Sequence, residues 1–182
     1  MTTSLAIWIA AALVTFAAME GWAALLHGQV WHRVLWFMHR SHHRRRKGRF
    51  EKNDVLSVLH APVGAALVIY GCAGAPGVAR EVVFGVGIGM TLFGVAYVLV
   101  HDGLVHGRLP VAALARIPYL ARVRDAHFVH HRTGAAPYGL FLGPWVVARL
   151  GQRLGERLGQ RIGQRIGQKG RAARARRAAA RS

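Results

Sequence analysis

Ten of the eleven histidines in this chain fall into four short clusters, each following an apolar stretch or its basic flank. Two spacings alternate, Hx4H and HxxHH. The clusters are His27 and His32; His39, His42 and His43; His101 and His106; and His127, His130 and His131. Neutral imidazole is the commonest metal ligand among side chains and suits iron, copper and zinc. Because ten imidazoles are too many for one ion and about right for two, all ten are candidate metal ligands.

The spacings indicate how the histidines can converge. Residues at i, i+3 and i+4 share one face of a helix, so two opposed HxxHH faces would bring six imidazoles together. Residues five apart lie about 140° around an ideal α-helix. We therefore expect one member of each Hx4H pair to lie at a frayed or bulged helix end, or the two members to serve different ions.

The residue types alone leave the metal open. HExxH is absent from the sequence, so a zinc protease is not supported, and the missing ExxH gives no support to a carboxylate-bridged di-iron bundle. Iron, copper, zinc and nickel all accept a site made almost entirely of nitrogen. A non-enzymatic histidine-rich metal or haem membrane protein therefore remains an alternative to an enzyme.

Four acids lie near the histidines in sequence or at the entry to an apolar run, and they are candidates to accept the second ring N–H of a ligand. They are Asp102, Asp125, Glu51 and Asp54. The alternative for each is an interfacial acid that pairs with one of the many arginines. His60 stands alone in an apolar run, and we expect it to be buried and hydrogen-bonded.

Composition predicts a membrane protein. The 182 residues are 53% hydrophobic, yet the formal net charge is +18. Apolar runs at 4–26, 55–73 and 82–100 have about the length that crosses a bilayer. The basic segments 33–52 and after residue 107 should face the cytoplasm. We predict an all-α integral membrane helical bundle, with all four histidine clusters forming a metal site on the cytoplasmic side.

The end of the chain repeats a four-residue unit, such as Arg-Leu-Gly-Gln, and residues 149–182 carry 11 Lys and Arg against one Glu. Glycine in every turn makes this a poor helix in water. We predict a membrane-embedded catalytic domain at 1–148 and a basic tail at 149–182 that is disordered or lies on the membrane surface. The tail has no aromatic residue, which argues against nucleic-acid binding.

The cluster order resembles that of the membrane fatty-acid hydroxylase and sterol desaturase superfamily. Within it, several strings are similar to those of bacterial β-carotene hydroxylases, over roughly residues 18–145. They are WFMHRSHH at 36–43, FEKND at 50–54, GMTLFGVAY at 89–97 and HDGLVH at 101–106. The segment 132–142 and the basic tail depart from the family pattern.

The resemblance implies a non-haem di-iron mono-oxygenase of a bacterial inner membrane, with the ten clustered histidines as iron ligands. It implies O2 as co-substrate and electrons from NAD(P)H through ferredoxin and its reductase. The implied reaction is hydroxylation at C3 of the β-ring, which converts β-carotene drawn from the bilayer to β-cryptoxanthin and zeaxanthin. The alternative within the superfamily is a hydroxylase or desaturase that acts on a sterol or fatty acyl chain.

Overall fold

The computed structural model describes residues 2–44, 48, 50–158 and 160. Its α-helices are α1 (Thr2–Leu25), α2 (Trp36–His39), α3 (Asn53–Val58), α4 (Ala61–Ala73), α5 (Val78–Tyr97) and α6 (Pro118–Thr133). Two π-helical stretches, Leu26–Val34 and Val98–Val105, continue α1 and α5, and a short 3-10 helix spans Ala112–Arg116. No strand occurs among the described residues, which confirms the predicted all-α class.

Three helical stretches are long and apolar enough to cross a membrane, as predicted. They are Ser4–Val34, Asn53–Ala73 and Val78–Val105. The first and third run further than the apolar runs of the sequence, because the π-helical stretches continue them without a break. Each Hx4H pair therefore lies at or directly after the end of a membrane-crossing helix.

Helix α5 lies between α1 and α4, and its glycines permit the close approach. A Cβ added to Gly89 would lie 2.5 Å from the carbonyl oxygen of Ala12 in α1, and Gly85 faces the same helix. A Cβ added to Gly87 would lie 2.8 Å from the backbone nitrogen of Val68 in α4. Any side chain at these positions would push the helices apart. The three spans consequently form a rigid support for the histidines at their ends.

Helix α6 brings the last histidine cluster to this support. It ends at Gly134, whose backbone has a φ of 66° and whose N–H donates to the carbonyl of His130. The following segment, 134–142, folds back onto the helices, and Leu140 joins the buried core formed with Val100, Leu104 and Val123. This core fixes α6 against the π-helical end of α5.

The chain divides into two compact units, Met1–Pro144 and Trp145–Ser182. Residues 143–158 are helical, and in the second unit the Arg149 guanidinium lies 4.7 Å from the centre of the Trp145 ring. Most of the basic tail, residues 159 and 161–182, lies outside the described residues. The boundary at 148/149 and the surface-bound or disordered tail stay predictions.

Candidate metal centre

All ten clustered histidines converge at one end of the membrane helices. Nine of them offer ring nitrogens that form two sets, each within 4.8 Å of one another: His27, His32, His39, His43 and His130; and His42, His106, His127 and His131. The tenth, His101, places its Nε2 3.1 Å from Nε2 of His42, and we count it with the second set. We call these sets group 1 and group 2.

The two groups are built by the same rule. Each takes one Hx4H pair, the i and i+4 histidines of one HxxHH triplet, and the i+3 histidine of the other triplet. His39 and His43 thus go to group 1 while His42 goes to group 2. His127 and His131 go to group 2, and the remaining histidine of α6 goes to group 1. Both triplets therefore contribute to both groups.

The π-helical geometry explains the Hx4H spacing. The backbone N–H of His106 donates to the carbonyl of His101 at 3.0 Å, a bond across five residues, and Leu35 bonds Val30 in the same way at 2.8 Å. Hydrogen bonds across five residues bring residues i and i+5 onto the same face. Of the two arrangements expected for the Hx4H pairs, the structure has the bulged helix end. This geometry lets both histidines of a pair point at the same group.

Backbone carbonyls orient two candidate ligands of group 1. His27 Nδ1 donates to the carbonyl oxygen of Tyr138 at 2.8 Å, and His130 Nδ1 donates to that of Ala135 at 2.6 Å. A carbonyl oxygen only accepts, so the proton of each neutral ring must be on Nδ1. The lone pair is consequently on Nε2, which faces the group. Sequence reasoning missed both acceptors, because any residue can supply a carbonyl.

Side chains orient three further candidate ligands. His39 Nδ1 donates to Oδ1 of Asn53 at 2.6 Å, with both residues buried. His42 Nδ1 lies 3.3 Å from Oε2 of Glu51, and His101 Nδ1 lies 2.9 Å from Oδ1 of Asp102. These partners place the Nε2 lone pairs of their histidines toward the groups.

The other two candidate acids lie elsewhere. Asp54 forms a bidentate pair with Arg108, with both N–O distances at 2.7 Å, and so ties the start of α3 to the loop after the third span. The Asp125 side chain is 66% exposed and pairs with Arg124 at 3.1 Å. The residue that accepts the ring N–H of His39 is Asn53, an amide that the sequence did not single out, and not one of the expected acids. Its position within the FEKND string is the signal that could have revealed it.

The nitrogen arrangement fits metal ions. Nε2 of His27 and Nε2 of His39 both carry lone pairs, yet they lie only 3.0 Å apart. Two facing lone pairs repel unless a cation lies against both. Metal–imidazole bonds of about 2.1 Å at right angles would place neighbouring nitrogens about 3.0 Å apart. The pair His127 and His131, at 2.9 Å, matches as well, and Nε2 of His106 is buried without a hydrogen-bond partner among the described residues.

Burial lowers the pKa of several clustered histidines and so keeps their rings neutral. Burial, reinforced by neighbouring imidazoles, lowers the pKa of His43 to about 4, of His131 to about 3 and of His106 to about 2. The same causes lower the pKa of His42 and His127 well below the usual value. Protonated rings cannot bind a metal. At neutral pH the lone pairs are therefore available without the loss of a proton.

An apolar cavity lies beside two aromatic residues whose rings contact the histidine groups. Its volume is about 710 Å³, and it lies among α1, α3, α4 and α5. Trp31 in its wall lies 5.6 Å from the ring centre of His27, and the Tyr97 ring stacks on His101 at 4.7 Å. Ile69 also lines the cavity and is 65% exposed, so the cavity opens toward the outer surface of the spans.

His60 lies in the wall of this cavity. Its Nε2 accepts the indole N–H of Trp22 at 2.9 Å, as expected for a hydrogen-bonded histidine, although the residue is only half-buried. It belongs to neither group among the described residues. The eleventh histidine is therefore distinct from the other ten.

Comparisons with known proteins agree with this architecture. The family model for fatty acid hydroxylases matches residues 12–147. Beta-carotene hydroxylase 2 of Capsicum annuum and beta-carotene 3-hydroxylase 2 of Arabidopsis thaliana are each 47% identical over 135 residues, which is 73% of this chain and 44% of the relative. The chain thus spans less than half the length of these two plant proteins.

A bacterial relative is covered more fully. Beta-carotene hydroxylase of Pseudescherichia vulneris is 42% identical over 131 residues, which is 70% of this chain and 72% of the relative. No solved structure matches the chain significantly. The family match covers most of the chain, including all ten clustered histidines, and the chain belongs to the fatty acid hydroxylase family.

Proposed function

We propose that this chain is a carotenoid β-ring 3-hydroxylase, which uses O2 to convert β-carotene to β-cryptoxanthin and zeaxanthin. The observation that carries the proposal is the junction between the apolar cavity and the two histidine groups. Trp31 contacts group 1 and Tyr97 contacts group 2, and both line the cavity. A hydrocarbon in the cavity would therefore end one aromatic ring away from the proposed metal ligands.

Two iron ions are the proposed cofactor. Group 1 would hold one ion and group 2, with His101, the other, so each ion would take five imidazoles. When bound, the iron pair supplies the reduction of O2 and the transfer of one oxygen atom to a C–H bond. The protein's part is to hold the ten imidazoles with their Nε2 atoms inward, through Nδ1 bonds such as that of His39 to Asn53.

The cavity supports an apolar substrate that arrives from the bilayer. Its wall is almost entirely hydrocarbon and aromatic, and its volume of about 710 Å³ is within the range of small-molecule pockets. The relatives in Capsicum annuum, Arabidopsis thaliana and Pseudescherichia vulneris are named for action on beta-carotene. The cavity would position one β-ring of this hydrocarbon at the histidines while water is excluded by the surrounding helices.

The remaining partners follow from the reaction and the charge distribution. Mono-oxygenation consumes two electrons beyond those of the substrate, and we propose ferredoxin and its reductase as their source. Basic residues outside the spans, such as Arg44, Arg116 and Arg122, favour a cytoplasmic position for the histidine end and an encounter with an acidic donor. We propose the bacterial inner membrane as the location.

Expression in a β-carotene-producing bacterium, followed by pigment chromatography, tests this function. The parent chain should yield β-cryptoxanthin and zeaxanthin, whereas His42→Ala and His130→Ala should yield neither while protein still accumulates in the membrane. Unchanged β-carotene with the folded, iron-loaded parent would refute the substrate. Near-parental activity in either variant would refute the ligand assignment.

Metal analysis of the purified protein tests the cofactor separately. The parent should contain two iron ions per chain and give no haem absorption band. His60→Ala is the matched control, because it removes a histidine that belongs to neither group and should retain both ions. A parent that is active without stoichiometric iron would exclude the di-iron proposal.

A further inference from the structure

A buried acid lies within the first membrane helix, away from both histidine groups. Glu20 of α1 is 6% exposed, and its Oε1 accepts the backbone N–H of Leu142 at 2.8 Å. The backbone N–H groups of Leu140 and Phe141 also face this carboxylate. Intramembrane acids are costly and usually serve a function. Here the carboxylate binds the chain segment that follows α6.

The segment fits closely against the carboxylate. A Cβ added to Gly139 would lie 2.7 Å from Oε1 of Glu20 and 3.5 Å from Cβ of Ala24. Any side chain at this position would lift the segment away from α1. The absence of a side chain and the buried acceptor thus act together to hold residues 138–142 in place.

This segment and the residues just before it supply the acceptors for two histidines of group 1. The carbonyl of Tyr138 accepts from His27, and that of Ala135 accepts from His130. The Tyr138 ring also lies 5.3 Å from the ring of His32. A displacement of the segment would therefore remove the acceptor of the His27 Nδ1 proton. The corresponding partners of group 2, Glu51 and Asp102, lie on other parts of the chain.

We propose that Glu20 is a positioning residue for group 1, acting through segment 138–142. It holds the segment, and the segment holds the tautomer and orientation of His27. The inference rests on the proposed iron-binding function. Of the two carboxylate oxygens of Glu20, Oε1 is the one that holds the segment, because Oε2 is buried and has no hydrogen-bond partner among the described residues.

Selective loss of one iron tests this role. In Glu20→Ala, iron should leave group 1 to a chelator about 10-fold faster or more, the scale seen when outer partners of metal ligands are removed. Iron per chain should fall from two toward one, while group 2 retains its ion. Glu20→Gln keeps an oxygen acceptor and should retain both. Glu81→Gln, which changes another buried membrane acid, is the matched control and should also retain both.

Gly139→Ala provides a second route should Glu20→Ala fail to accumulate. The added Cβ displaces the segment without removing the carboxylate, and the same loss of one iron is expected. Two irons with parental release rates in Glu20→Ala or Gly139→Ala would overturn the inference, as would equal losses in Glu20→Gln and Glu20→Ala. A parent chain without iron would instead refute the proposed function, so the two failures are distinguishable.

Discussion

Replacing Asn53 with leucine should weaken iron binding at group 1 with little effect on folding. Oδ1 of Asn53 accepts from Nδ1 of His39 at 2.6 Å, and the two residues are 3% and 1% exposed. Leucine has a similar shape but no acceptor. Water cannot readily replace it at such a buried position, so the N–H of the metal-bound ring would have no partner.

The magnitude follows from the cost of that unpaired donor. A buried polar group without a partner costs about 1–3 kcal/mol, which corresponds to about 5- to 150-fold in an equilibrium constant. Without metal, the His39 ring can move its proton to Nε2 and bond the nitrogens of His27 or His43, which lie 3.0 and 3.1 Å away. With metal, Nε2 must present its lone pair. The cost therefore falls on metal binding and not on the stability of the metal-free protein.

The assay is the rate at which a chelator removes iron, together with iron per chain at equilibrium. We expect about 10- to 100-fold weaker binding of one ion in Asn53→Leu, as for other outer partners of metal ligands. Asn53→Asp keeps an oxygen at the same place and should bind at least as tightly as the parent. Parental iron release in Asn53→Leu, or an equal loss in Asn53→Asp, would refute the reasoning.

Three further predictions concern the cavity, the acids and the tail. Gly94→Phe should fill the cavity and abolish pigment hydroxylation while iron is retained, whereas Gly21→Phe should leave turnover unchanged. A Cβ at either glycine meets open space, but of the two only Gly94 lines the cavity. Equal turnover in both variants would contradict the proposed substrate position. Asp102→Ala should accelerate iron loss about 10-fold or more, whereas Asp125→Ala should not, a difference that chelator kinetics measures. Deleting 149–182 should preserve turnover per folded chain, and total loss would contradict a peripheral tail.

The sequence predicts the membrane spans and the ten histidines because both signals are local. Apolar length alone marks 4–26, 55–73 and 82–100 as spans, and histidine spacing marks the candidate ligands. The spacing also indicates that an ideal α-helix fails for His27 and His32. The spacing does not predict that the helix end is π-helical, because the hydrogen bonds of a π-helix differ little in energy from those of an α-helix.

The ligand partners were harder to predict because they depend on contacts between distant parts of the chain. Asp102 and Asp125 look equivalent in sequence, each within two residues of a histidine, yet only Asp102 contacts one. The carbonyl of Tyr138 is 111 residues from His27 and has no sequence signal. Glu20 lies in an apolar run, and nothing in the sequence indicates its contact with Leu142, 122 residues away. Such partners become visible only when the chain is folded.

The HH doublets favour the proposal that the centre binds two ions. Consecutive residues on a helix diverge by about 100°, so His130 and His131 of α6 point in different directions. His42 and His43, in the turn after α2, also go to different groups. In the structure each doublet sends one ring to each group, and the rings of His43 and His131 stack across the boundary at 4.4 Å. The doublets therefore fix the distance between the groups. A single mononuclear site would need only one face of each helix, so the repeated doublet itself favours a binuclear centre.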